Sequence, residues 1–328
     1  MDGIRPAQEG EFTRRGFANG RIDLAEAEGL ADLLEAETEL QRAAAMASVS
    51  GALSNLIETW REAVLKLSAQ LEAVLDFSDE DDVAELPAGF ASSAIALSGE
   101  MNDYLARPRS EMLKQGVRVV LAGPPNSGKS TLFNALVEDE AAITSPIAGT
   151  TRDVIERSVA IAGVPLSFVD TAGLRGEGAD EIEAIGIDRA HGELRRADFI
   201  LWLGDEGLGP DNAWEVAPRK DTTGFTAKCN PCWEVSALSG EGVDALKQAI
   251  VDAARTIIPK PGQLAFNQRQ HKRLVEAKAA LDRTQGLSDL LLVAEELRSS
   301  RLAFDRLVGR ATTEDMLDAL FGRFCIGK

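Results

Sequence analysis

The chain has 328 residues, enough for two domains, each with its own core. Apolar residues make up 45% and charged residues 27%, an ordinary globular balance, and no run approaches the roughly 18 apolar residues that a membrane span requires. Lys and Arg total 35 against 53 Asp and Glu, a net charge of −18, which excludes broad adhesion to a phosphate backbone.

Three cysteines give no disulfide framework and nothing resembles a signal peptide, so a cytoplasmic protein without membrane attachment is expected. From Ile22 to about Leu75 the pattern is helical, and Leu53, Leu56, Trp60, Ala63, Leu67, Leu71 and Val74 form one apolar stripe. The acidic DFSDEDD stretch (Asp76 to Asp82) lacks the spacing and the glycine of a calcium loop and reads as a solvated loop. A second helical stretch covers Ala91 to Lys114. At Gly116 the character changes. VRVVLAG is a short buried strand, and from there to about Ile258 β-branched runs alternate with helical ones, the pattern of a parallel sheet wrapped by helices. PKPG (Pro259 to Gly262) marks the exit, after which Leu274 to Leu281 and Leu290 to Leu307 return to helical periodicity. The expected arrangement is an α/β domain, 116–258, inserted between two halves of a helical domain, 23–115 and 259–328.

GPPNSGKST (Gly123 to Thr131) follows the first strand and opens a helix, as a glycine-rich phosphate loop does. Its backbone N–H groups, through Asn126, Ser127, Gly128 and Thr131, would face an anion; Lys129 would reach the β and γ phosphates, and Ser130 would offer a hydroxyl to magnesium. DTAG, Asp170, Thr171, Ala172 and Gly173, follows a later strand; its aspartate can hold a magnesium-bound water and the Gly173 N–H can touch the γ phosphate. Between them GTTRD (Gly149 to Asp153) has threonines suited to closing on magnesium. These three elements in this order describe a GTPase-type switch protein, so the expected fold class is an α/β P-loop GTPase domain inserted into an all-α helical-bundle domain. The base reader of such domains is Asn-Lys-x-Asp. Here the strand WEVA leads to PRKD, in which Asp221 can accept from guanine, Arg219 can stack on the base, and Pro218 cannot replace the amide. SAL (Ser236, Ala237, Leu238) matches the second base-binding loop. Leu174 stands where a water-positioning glutamine is usual, and Asp180, Glu181 and Glu183 are the acidic candidates nearby.

GEFTRRGFANGRIDLAEAEGLADLL, GPPNSGKST, SPIAGTTRDV, DTAGLR, DEIEAIGIDRA, SALSGEGVDAL and the terminal FCIGK together resemble the MnmE (TrmE) family of tRNA-modifying GTPases over nearly the whole chain. The resemblance implies a potassium ion held by Asn126 with the loop Ser145, Pro146, Ile147, Ala148, Gly149 and Thr150, of which Ser145, Ile147 and Thr150 are ligands. It also implies magnesium on Ser130 and Thr151, indirect positioning of the attacking water by Glu183, and roles for Cys325 in the modification step and Lys328 at a folate site. It further implies a flavin (FAD)-containing MnmG-type partner, tRNA engaged through that complex, chemistry at carbon 5 of the wobble uridine, and pairing of two copies through their GTPase domains on activation. The folate, 5,10-methylenetetrahydrofolate or formyl-tetrahydrofolate, belongs to an amino-terminal domain of which residues 1–22 are expected to be a remnant.

CNPC (Cys229 to Cys232) has no second cysteine pair for zinc, and His191 and His271 read as surface residues. Two rival readings are a non-catalytic nucleotide-binding scaffold lacking the folate domain and an Era-like ribosome-assembly GTPase. The latter should carry a basic RNA-binding appendage, which a chain of charge −18 lacks.

Overall fold

The computed structural model describes residues 5–76, 86–138, 140–142, 155–171, 191–225, 227–229, 232–310, 314–322 and 324. The chain divides into two compact units, one of Met1–Ala36, Gln41–Ser110 and Pro259–Lys328, the other of Glu37–Leu40 and Glu111–Ile258. The helices in chain order are α1 (Glu11–Ala18), α2 (Leu24–Glu35), α3 (Glu39–Val49), α4 (Ala52–Asp76), α5 (Phe90–Leu105) and α6 (Glu111–Lys114). They continue with α7 (Lys129–Val137), α8 (Val243–Ile257), α9 (Gln268–Arg283), α10 (Leu290–Val308) and α11 (Glu314–Phe321).

The helical unit draws on both ends of the chain. The helical pattern expected as one stretch from residue 22 is three helices. Asp23 caps α2, its Oδ1 accepting from the Glu26 N–H at 2.8 Å while Glu26 accepts from the Asp23 N–H at 2.8 Å. Gly51, at φ 77, separates α3 from α4. On α4 the buried positions are Leu53, Ile57, Trp60, Val64, Leu67, Leu71 and Val74. They alternate steps of four and three, a heptad seam. Leu56 and Ala63, expected in this stripe, are only half-buried beside it, because Ile57 and Val64 lie closer to its centre line. The stretch expected to be helical to Lys114 stops at Leu105, ahead of Pro108, and resumes only as the single turn α6. Trp60 is fully buried, with Tyr104 edge-on at 5.2 Å, Phe266 stacked at 6.5 Å and Phe304 at 6.3 Å.

One carboxylate ties the early half of this unit to the late half. Glu28 on α2 accepts from Arg269 Nε at 2.6 Å, Asn267 Nδ2 at 3.0 Å and Gln270 Nε2 at 2.7 Å, all at the start of α9. Arg269 also donates to the Leu307 carbonyl of α10 at 2.9 Å. A second, smaller core joins Leu24, Ala27 and Ala31 of α2 to Leu317, Leu320 and Phe321 of α11. Phe324 is buried against Phe321, ring centroids 6.1 Å apart.

The sheet unit contains β1 (Val117–Ala122), β2 (Ala141–Ala142), β3 (Ile155–Ile161), β4 (Val164–Asp170), β5 (Phe199–Trp202), β6 (Trp214–Ala217) and β7 (Cys232–Glu234). Their order is β2-β3-β4-β1-β5-β6-β7, with β1, β4, β5, β6 and β7 parallel and β2 and β3 antiparallel additions at one edge. Val119, Val120, Leu121, Leu166, Phe168 and Val169 are completely buried in the centre, as are Leu132 and Leu136 of α7 and Leu246 and Ile250 of α8.

The alternation of strand and helix fails among the parallel strands at one edge of the sheet. Residues 203–213 and 218–231 connect β5 to β6 and β6 to β7 without a helix among the described residues. The sequence of the strands explains this. Glu215 and Glu234 face away from Val216 and Trp233, and they are paired with Lys228 at 2.6 Å and Lys220 at 3.3 Å. A charged face cannot seat an apolar helix. Loops cover it instead: Trp202 donates its indole N–H to the Asp205 carbonyl at 2.8 Å and lies on Gly209, where an added Cβ would come within 2.7 Å of its ring. On the other face Phe199, Trp214 and Trp233 form a row, with successive ring centroids 5.4 and 6.2 Å apart. Among the described residues no helix is long and apolar enough to cross a membrane.

Candidate functional site

The parallel pairing of β1 with β4 places Leu121 beside Asp170, so the loop after β1 and the end of β4 open at the same rim. That loop ends at α7, whose N-cap Gly128 has φ 96, and Asn126 two residues earlier has φ 59. Left-handed residues alternating in this way form a nest of N–H groups at a helix N-terminus, a shape that holds anions.

Lys129 is almost fully buried, and its ammonium donates to the carbonyls of Gly123 at 3.0 Å and Pro124 at 2.7 Å. A phosphate oxygen would exchange a neutral acceptor for a charged one, a stronger bond. Ser130 donates its hydroxyl to Asp170 Oδ2 at 2.6 Å, and Asp170 is fully buried. A hydroxyl beside a carboxylate is an all-oxygen donor pair, which suits magnesium. Thr171 is held by its hydroxyl to the Leu121 carbonyl at 2.8 Å. Ser127 lies half-buried in the same loop, its Oγ without a hydrogen-bond partner among the described residues, and Thr131 follows on α7.

The base-reading loop follows β6. Arg219 has φ 62 and donates through Nη2 to the backbone carbonyl of Asn126. A Cβ added at Gly128 would lie 3.7 Å from Pro218 Cβ and 3.8 Å from Arg219 Nε. Arg219 thus ties the base-reading loop to the phosphate loop. A lysine here would bring the same single charge on an ammonium with three donors, whereas the planar guanidinium has five in a fixed fork. Asp221 is exposed two residues on. The Lys220 N–H donates to the Val235 carbonyl at 3.1 Å, which brings the SAL loop alongside. There Ser236 is completely buried and its Oγ accepts from the Ser239 N–H at 3.1 Å; Ala237 is half-buried, and Leu238 is 80% exposed. Glu241, then Glu234, holds the Lys220 ammonium above its ordinary range.

Asn126, Ser127, Gly128, Lys129, Ser130, Thr131, Asp170 and Thr171 therefore surround one rim, with Arg219 reaching it from the base loop. Ser145, Pro146, Ile147, Ala148, Gly149, Thr150, Thr151, Ala172, Gly173, Glu183, Cys325 and Lys328 lie outside the described residues. Among the described residues no group of three or more His, Cys, Asp and Glu is placed to hold a metal ion. Cys229 is exposed, its N–H donating to the Glu206 carboxylate at 2.9 Å. His191 is exposed and His271 half-buried. The contact that sequence reasoning missed is Arg219 to Asn126, two residues in loops far apart in the chain, for which no local spacing gives a signal.

The profile of the MnmE helical domain matches residues 24–325. A curated tRNA modification GTPase MnmE of Erythrobacter litoralis (strain HTCC2594) is 62% identical over 328 residues, covering 100% of this chain and 77% of that protein. Its counterpart in Novosphingobium aromaticivorans is 57% identical over 339 aligned positions, covering 100% of this chain and 78% of the relative. The tRNA modification GTPase MnmE of Zymomonas mobilis subsp. mobilis is 45% identical, covering 99% of this chain and 77% of that protein.

Proposed function

The chain belongs to the MnmE family, and on that premise we propose that it is a GTPase of tRNA modification, stimulated by potassium and acting with a flavoprotein of the MnmG type at the wobble uridine. The observation that carries the hydrolytic part is the meeting of Ser130 and Asp170, at 2.6 Å, beside the nested loop and the buried Lys129.

In this reading the phosphate-loop N–H groups and Lys129 bind the β and γ phosphates. Ser130 and Thr151 would hold magnesium, which would supply neutralising charge to those phosphates. Asp170 orients Ser130 by accepting a hydrogen bond from its hydroxyl. Leu174 cannot direct a water, so Glu183 positions the attacking water indirectly. Asn126, exposed on the phosphate loop, supplies its amide oxygen to potassium together with Ser145, Ile147 and Thr150. That cation places positive charge where other GTPases recruit an arginine. Asp221 accepts from guanine, and Ser236 to Leu238 line the other side of the base.

GTP turnover measured in matched sodium and potassium buffers tests this reading. Potassium should raise the rate about tenfold or more, the scale of charge stabilisation at a transferred phosphoryl group, and Asn126→Ala should remove the difference. Equal rates in the two salts reject the potassium assignment, and an absence of turnover rejects the enzyme.

A further inference from the structure

Residues 218–222, the base-reading loop, carry three side chains that can donate hydrogen bonds, and each is turned toward the protein. Arg219 sends Nη2 to the Asn126 carbonyl, and its Nε lies 3.8 Å from where a Gly128 Cβ would stand, so both nitrogens border the phosphate loop. Lys220 gives its ammonium to Glu241 at 2.9 Å and Glu234 at 3.3 Å. Thr222 donates its hydroxyl to the Arg219 carbonyl at 2.9 Å, closing the turn. Pro218 has neither an N–H nor a polar side chain. Asp221 differs from all of these. It is exposed, and its carboxylate can only accept.

A guanine makes two different demands. Its N1–H and exocyclic amine donate, whereas O6 and N7 accept. Asp221 suits the donating pair. The SAL loop can serve O6, because of how it closes on itself. Ser236 N–H donates to the Glu241 carbonyl at 2.9 Å, Gly240 N–H to the Ser236 carbonyl at 2.9 Å, and Ser239 N–H to Ser236 Oγ at 3.1 Å. The N–H groups of Ala237 and Leu238 take no part in those bonds and remain for an incoming acceptor. For N7 the base-reading loop has no side-chain donor left over.

We propose that this chain reads guanine through N1–H, the exocyclic amine and O6 and leaves N7 unread, with Pro218 the residue that sets this narrowed specificity. This rests on the GTPase reading above and deepens it. An asparagine at 218, as in the usual motif, would add an amide donor beside the base. Proline removes that donor, and Arg219 does not replace it, since its fork is anchored on the phosphate loop. Selectivity against adenine survives, because adenine turns a ring lone pair toward Asp221 in place of N1–H.

Titration calorimetry on the full chain, with magnesium and potassium present, tests this by comparing GDP with three analogues. 7-deaza-GDP, in which a C–H replaces N7, should bind within about twofold of GDP. Inosine diphosphate, which lacks the exocyclic amine, should bind about tenfold more weakly, the scale of one bond to a charged acceptor. ADP should bind at least about 10²-fold more weakly, because it leaves polar groups of the site unpaired. P218N restores the amide and should bind 7-deaza-GDP about threefold to tenfold more weakly than GDP. If P218N does not fold, the wild-type series decides alone. A wild-type chain that binds 7-deaza-GDP clearly more weakly than GDP overturns the inference, as does inosine diphosphate binding as tightly as GDP. Either result leaves the GTPase reading standing, whereas an absence of GDP binding rejects that reading and this inference with it.

Discussion

Each unit of this protein hangs on one charged side chain that gathers several partners. In the helical unit Glu28 collects Asn267, Arg269 and Gln270; in the sheet unit Arg118 collects Glu156 and Glu193. Chemically the two are mirror images, a carboxylate among donors and a guanidinium among acceptors. In both, removing the centre strands partly buried charges, which costs more than the pair contributes. The difference lies in what they join. Glu28 joins segments from opposite ends of the chain and is absent from the phosphate rim. Arg118 joins β1, which runs to that rim, to Glu156 of β3 and to Glu193 of the helical residues 191–196. The same device therefore closes a helical unit drawn from distant segments in one case and braces the sheet beneath the phosphate rim in the other.

The sharpest break would come from Trp60. Trp60→Ala removes a fully buried indole from the aromatic cluster and should cost about 3–5 kcal/mol in urea unfolding. Trp60→Phe should cost less, since it also removes an indole N–H that has no acceptor among the described residues. GTP turnover of the folded fraction should not change in either variant.

Lys129→Ala is the converse. It should lower GTP turnover by about 10²-fold or more, the scale of losing a charge-stabilising donor, with the urea midpoint little changed. A large loss of stability would mean that the bonds of Lys129 to the Gly123 and Pro124 carbonyls hold the loop together by themselves.

Glu28→Gln should cost about 2 kcal/mol, because Arg269 keeps its carbonyl acceptors on α10 but loses its charged partner. Urea unfolding with turnover followed in parallel measures it. An unchanged urea midpoint would show that this tie between distant segments carries no stability.

The smallest effect concerns α1. Arg5, with the Gln8 N–H, holds the Glu11 carboxyl down to about 2 from 4.5. A depressed carboxyl contributes stability above its unfolded value and loses it as pH falls through its folded one. The ties of Glu11 to Arg5 and Arg15 should thus weaken only between pH 4.5 and about 2. The carboxyl chemical shift of Glu11 followed through a pH titration reports this, and a midpoint near 4.5 would show the bonds to be absent in solution.

Much of this was legible in the sequence because it is local. The phosphate loop, its strand and its helix are consecutive, and the return of helical periodicity after PKPG marks the insertion. The choice between Leu56 and Ile57, or Ala63 and Val64, was not legible, since neighbouring apolar residues fit a helical stripe equally well. The missing crossover helices left a faint trace in the alternation of Trp214, Glu215 and Val216, a half-polar strand where a strand covered on both faces was expected. Nothing local announced Glu28, Arg118 or the reach of Arg219 to Asn126, because each depends on segments that meet only in the folded chain.

The division of the helical unit between the two ends of the chain sets a timetable for synthesis. The heptad face of α4 leaves the ribosome long before α9 and α10, which cover it. The sheet unit, apart from Glu37–Leu40, is made in between. At about 5–20 residues per second that interval lasts roughly ten seconds or more. Throughout it Leu53, Ile57, Trp60, Val64 and Leu67 lack their late partners, so the nascent chain presents a chaperone with an adhesive apolar surface while its sheet unit is being made.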